Sequence, residues 1–181
     1  MSSKVSISKL DAAVRQLDAA IRLFFLGADP IVVHTLAASA GNIFADIAEH
    51  RNRGVSWRIR MRDDAGLSTG RIKNILHEAW NFFKHANHDP DGVLQFEEVD
   101  SEHMMFVAVL DCGDIQATSC YMQAFQLWYI AAHPEHFPET EPIFADAISA
   151  FPDLAALPVS GRVQHGKAFI IQHCGHSGTE T

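Results

Sequence analysis

Long apolar runs, paired cysteines and leader patterns are all scarce in this sequence. No stretch approaches the roughly 20 uninterrupted apolar residues of a bilayer-spanning helix, so no membrane span is expected. The three cysteines, Cys112, Cys120 and Cys174, are odd in number and form no CxxC pair. That argues against a disulfide framework and for a reducing cytoplasm. The opening residues MSSKVSISKLDAAV lack a continuous apolar core and a cleavage pattern, so no secretory leader is expected. Neither end carries a lipidation motif. A glycine-rich phosphate loop, a GxSxG elbow and an HExxH pair are missing too. Basic residues are few, 14 against 22 acids, for a net charge of -8. This balance opposes nonspecific attraction to nucleic acid and anionic membrane.

What is present is the material of a globular domain. The chain has 181 residues, of which 48% are hydrophobic and 20% charged, enough to bury a core in one domain. Leu10, Val14, Leu17, Ile21 and Phe24 recur at helical spacing, with Ser8 as N-cap and Gly27 as the stop. Asp29-Pro30 opens a second helix to about Glu49, whose faces are Val33, Leu36, Ala37, Ala40, Phe44 and Ile47, then Ala38, Gly41 and Ala45. A third helix runs from Ser68 or Thr69 to about His88 and ends at the turn Asp89-Pro90-Asp91-Gly92. Further helices are expected from Ser101, from about Ile115 to Ala132, and from about Glu141 to Phe151. Residues 55–62, VSWRIRMR, alternate strictly and predict a strand with an arginine face. Residues 93–97 are its expected partner, with Glu97, Glu98 and Asp100 opposing the arginines. The fold class is therefore mainly α, a bundle of five or six helices with a minor β element, over 1–157. Residues 158–181 read as a tail, with Gly166-Lys167 as a hairpin turn and a frayed end.

The charge is unevenly placed. Seven of the 14 basic residues fall between Arg51 and Lys73, opposed there only by Asp63 and Asp64, while from Asp89 onward 14 acids face only Arg162 and Lys167. The simpler account is internal neutralisation of a basic segment by acidic neighbours. The functional account is an anion- or RNA-contacting strip of Arg58, Arg60, Arg62 and Arg71.

Eleven histidines supply the candidate chemistry. On the third helix His77, Asn81, His85 and His88 follow at steps of four, four and three, which places them on one stripe. His85 could act as acid or base, with Asn81 and Lys84 beside it, on a phosphodiester. His85 and His88 are close enough to share an ion, but no metal centre is favoured and no cofactor is expected. His34 is the second candidate, near the start of a helix that lowers an imidazole's pKa and attracts anions. The end of the chain, His173, Cys174 and His176, has zinc-type residues without spacing partners.

The strings KLDAAVRQLDAAIRLFFLGADPIVVHTLAASAGNI, AWNFFKHANHDPDG and QLWYIAAHPEHF resemble a family of short all-α bacterial proteins of uncharacterised function, over residues 9 to 138. NFFKHA is the most specific piece. The chain is loosely similar to HEPN-type helical domains, many of them dimeric RNases or RNA-binding modules. Their pattern is an arginine, a polar residue and, four residues after it, a histidine. Asn81 and His85 match the last two places and Trp80 stands where the arginine would be, so the resemblance implies a fold and a dimer rather than cleavage.

Two function classes follow. One is a cytoplasmic regulatory or interaction module, homodimeric and HEPN-like, with an RNA or protein partner and no membrane contact. The other is a metal- or small-ligand-binding bundle with hydrolase-type activity that uses His34, Asn81, His85 and His88.

Overall fold

The computed structural model describes residues 4–51, 56–65, 69–87 and 89–175. Among them the secondary structure is eight α-helices and two single 3-10 turns. The helices are α1 Lys9–Phe25, α2 Pro30–His50, α3 Trp57–Ala65, α4 Thr69–Lys84, α5 Val99–Gly113, α6 Cys120–Ala132, α7 Pro142–Ala150 and α8 Val159–Cys174. The mainly α class holds, and no strand occurs among the described residues.

The first two helices follow their sequence signals. Ser8 accepts the Asp11 N–H and caps α1. Its far end is a Schellman closure: the Ala28 N–H reaches the Leu23 carbonyl, the Gly27 N–H reaches that of Phe24, and Gly27 adopts φ +74°. Asp29 then accepts the Ile31 N–H at 2.8 Å with Pro30 at the first helical position. Together these turns fold α1 and α2 into an antiparallel pair.

α2 is the central helix, packed mainly against α1 on one side and α5 on the other. Its small residues allow the close approach, with Gly41 set against Ala108 of α5. By length and composition α2 could also cross a bilayer, although His34, Ser39 and Asn42 interrupt its apolar run. Half of that stretch is buried inside the protein, as the core helix of a bundle would be.

α6 lies against α1 through a cluster of rings. Phe24 and Phe25 meet Phe125 and Trp128 at centroid distances of 5.2 to 6.1 Å. α1, α2, α5 and α6 form the core, and α4 packs mainly on α2 and α3.

Three expectations are corrected. Residues 55–62, expected as strand, belong to α3 from Trp57 on, Val55 lies outside the described residues, and 93–97 are irregular. The arginines are what decide this. Two residues apart on a helix point to opposite sides, so Arg58 turns to α2 and Arg60 to α5, where each finds acids. The hairpin turn expected at Gly166-Lys167 in the tail is replaced by helix, since α8 runs through Val159–Cys174. α8 carries buried Gly166 and Ile170 into the core, and a Cβ on Gly166 would collide with the ring of Phe25. Finally, Cys120 and Cys174 form a disulfide between the start of α6 and the end of α8, leaving Cys112 free and buried. Their separation of 54 residues hid the pair from any local spacing rule.

Candidate metal centre

The residues singled out in the sequence do not converge. α4 ends at Lys84, so His85 lies beyond the helix and the expected stripe stops at Asn81. Asn81, Lys84 and His85 are exposed. The Lys84 ammonium sits over the Trp80 ring, 2.9 Å from its centroid, and loss of solvent there lowers its pKa. The inner side of α4 docks on α2: His77 pairs with Asn42 at 3.1 Å, and the Trp80 indole N–H donates to Ser39. His88 and His176, and the side chains of Arg62 and Arg71, lie outside the described residues.

His34 is buried, edge-on to Phe83 and Phe96 at 6.0 and 5.1 Å. Among the described residues neither ring nitrogen makes a well-formed hydrogen bond. Burial lowers its pKa, and the charge and backbone of nearby Asp100 oppose the change. It is a core histidine walled off from the exposed His85.

The arginine strip is internally paired where it is described. Buried Arg58 donates to both oxygens of Glu49 at 2.6 and 2.7 Å and to Asp46 at 2.7 Å. Glu49 and Asp46 stand three apart on α2, on one face. Arg60 reaches Asp114 at 2.9 Å and covers the Trp57 ring. The neutralising acids are those of α2 and α5, in place of the expected 97–100 segment.

A different group of titratable side chains does converge, where the first turn of α5 meets the end of α6. His133 is the C-cap of α6, and Pro134 follows it, so the α-helix cannot continue. The chain turns instead through a 3-10 turn, Pro134–His136. Residues three apart eclipse in that geometry, which stacks the His133 and His136 rings at 6.0 Å and 18°. Glu135 lies between them, its carboxylate 3.9 Å from His133 Nδ1 and 3.6 Å from His136 Nε2. One donor atom from each of the three residues falls within 4.8 Å of the others.

The opposite edge of His133 is anchored. Its Nε2 lies 2.9 Å from Glu102 of α5, and both side chains are buried. A carboxylate only accepts, so Nε2 carries the proton of this bond and Nδ1 is the ring nitrogen that faces Glu135. Glu102 is placed by the seating of α5 on α2, where the Ser101 hydroxyl donates to the Pro30 carbonyl at 3.0 Å. On the neighbouring turn His103 Nδ1 and the Tyr129 hydroxyl share a 2.6 Å hydrogen bond. Burial lowers the His103 pKa, and His133 beside it adds to that. Burial raises that of Tyr129, with Glu102 and Glu135 adding to the effect. Phe106 stacks on Tyr129 at 4.2 Å, and Phe137 packs against both, giving the centre an aromatic wall.

Sequence reading passed over this centre because it treated His133-Pro134 as a helix stop and nothing more. The signal was the string His133-Pro134-Glu135-His136, three donor side chains around a proline. Its anchor Glu102 comes from another helix and no local pattern announces it.

No family model, no curated protein and no solved structure matches this chain.

Proposed function

We propose that this protein is a metal-binding helical bundle whose centre is His133, Glu135 and His136, with hydrolase-type chemistry open to it. The observation that carries this reading is the buried Glu102–His133 hydrogen bond. Ligating histidines characteristically give their second N–H to a carboxylate, which sets the tautomer and raises ligand basicity. Two imidazoles and a carboxylate suit zinc or a similar divalent ion, and such a set leaves a coordination position for water. Donors around a tetrahedral ion stand about 3.4 Å apart. The Glu135 separations of 3.9 and 3.6 Å are near that, and the His133–His136 donor pair, within 4.8 Å, would have to close to it on binding.

The test is calorimetric titration of tag-free, chelator-treated protein with Zn²⁺, repeated with Co²⁺ to read coordination from its absorption. One ion per chain is expected, with loss of binding in His133→Ala and His136→Ala. Substoichiometric uptake, or uptake unchanged by both substitutions, would remove the reading.

A second reading keeps the dimeric, RNA-associated module. What favours it is that Asn81, Lys84 and His85 are exposed at the end of α4, where a second copy or a phosphodiester has access to them. It expects RNA affinity that falls steeply with salt and drops in Lys84→Ala. It no longer draws on Arg58 or Arg60, whose charges are met within the fold.

A further inference from the structure

Far from the α5–α6 centre, a concavity of about 650 Å³ opens between the start of α1 and the end of α2. Its floor is Leu10, Ile43 and Ile47, half-buried and packed on the core. Its rim holds Lys9, His50 and Arg51, all exposed. Among the described residues none of these three side chains has a hydrogen bond or ion pair. The single acid of the lining, Asp46, is tied by its carboxylate to Arg58 at 2.7 Å, a guanidinium it shares with Glu49, and it stands against the two cations Lys9 and Arg51.

The positive end of the α1 dipole and the negative end of the α2 dipole both reach this mouth and offset each other. The side-chain charges therefore decide the sign, and they are positive in a protein of net charge -8. A greasy floor with a few placed polar groups, at this volume, is the form of a small-molecule site.

We propose that this concavity binds a free amphipathic carboxylate, its alkyl chain on Leu10, Ile43 and Ile47 and its headgroup between Lys9 and Arg51. The proposal is independent of the metal centre and is tested with chelator present. Octanoate, octanol and octylammonium share one chain and differ in headgroup charge, and each is titrated into the whole protein while the methyl NMR signals of Ile43 and Ile47 are followed. Octanoate should bind saturably and move those signals, with octanol and octylammonium weaker. Lys9→Glu with Arg51→Glu should weaken octanoate by about tenfold or more. Both positions are exposed, so an unchanged melting temperature will show that the fold is intact. Equal binding of the three probes, an octanoate affinity untouched by the double reversal, or unmoved Ile43 and Ile47 signals would each overturn the proposal.

Discussion

Glu102 and His133 stand 31 residues apart in the chain and on different helices, yet their side chains meet at 2.9 Å in the interior. Glu102 touches no proposed ligand position itself, so it acts through the orientation of the imidazole. Glu102→Gln preserves size and can still accept the Nε2 proton but removes the charge that makes His133 a better donor. Zn²⁺ affinity should fall by about 10- to 100-fold, less than the loss in His133→Ala. Calorimetry on the three proteins checks the order. If Glu102→Gln binds as tightly as the unmodified protein, the buried pair serves packing alone.

The helices that could be read from the sequence are those whose signals are local. Ser8, Gly27, Asp29 and Pro30 act within a few residues of themselves, and α1 and α2 follow them. α3 misled because its partners are remote. Asp111 caps the Trp57 N–H from 54 residues away, and Asp46, Glu49 and Asp114 draw Arg58 and Arg60 to opposite sides. A two-residue alternation cannot reveal acids it does not contain. The end of α4 at Lys84 likewise removed His85 from the helix that made its stripe persuasive. Internal neutralisation was legible as a charge imbalance, but the acids that perform it were not.

Arg58 and Arg60 should differ sharply when removed. Arg58 is buried, and Arg58→Ala leaves a cavity and removes three charged hydrogen bonds from Glu49 and Asp46, which keep contact with solvent. A loss of about 2 to 3 kcal/mol is expected. Arg60 is partly exposed, and Arg60→Ala should cost about 1 kcal/mol or less. Urea unfolding of the two variants measures both. Comparable losses would mean that burial does not set the value of these pairs.

The disulfide should be a substantial support. Cys120 and Cys174 close a loop with a separation of 54 residues, for which loss of unfolded-chain entropy gives about 4 kcal/mol. Treatment with a dithiol, or Cys120→Ser, should lower the melting temperature and leave a helical protein, because α8 is also held by the Trp128 indole N–H on the Arg162 carbonyl at 2.8 Å. Intact mass after alkylation counts the free thiols. Three alkylated cysteines in untreated protein would show that the bridge does not form.

Asp111 should make stability fall with rising pH in the mildly acidic range. Its carboxyl is buried and accepts the Trp57 N–H at 2.8 Å. Desolvation is the largest influence on it and Asp114 adds to it, while the Trp57 bond, Arg58 and Arg60 pull the other way. The net result is a pKa pushed up to about 6 from 3.8. A carboxyl with a higher pKa folded than unfolded binds its proton more tightly in the native state. Its contribution is complete below pH 3.8 and is lost as pH rises through about 6, amounting to about 3 kcal/mol. Asp111→Asn is uncharged throughout and can still cap α3. The variant should therefore gain on the unmodified protein between pH 4 and 6.5 and hold a constant advantage above that. Urea unfolding across this range, read as the difference between the two proteins, isolates Asp111 from every other titrating group. A difference that does not change with pH would mean that the native carboxyl titrates as it does in the unfolded chain.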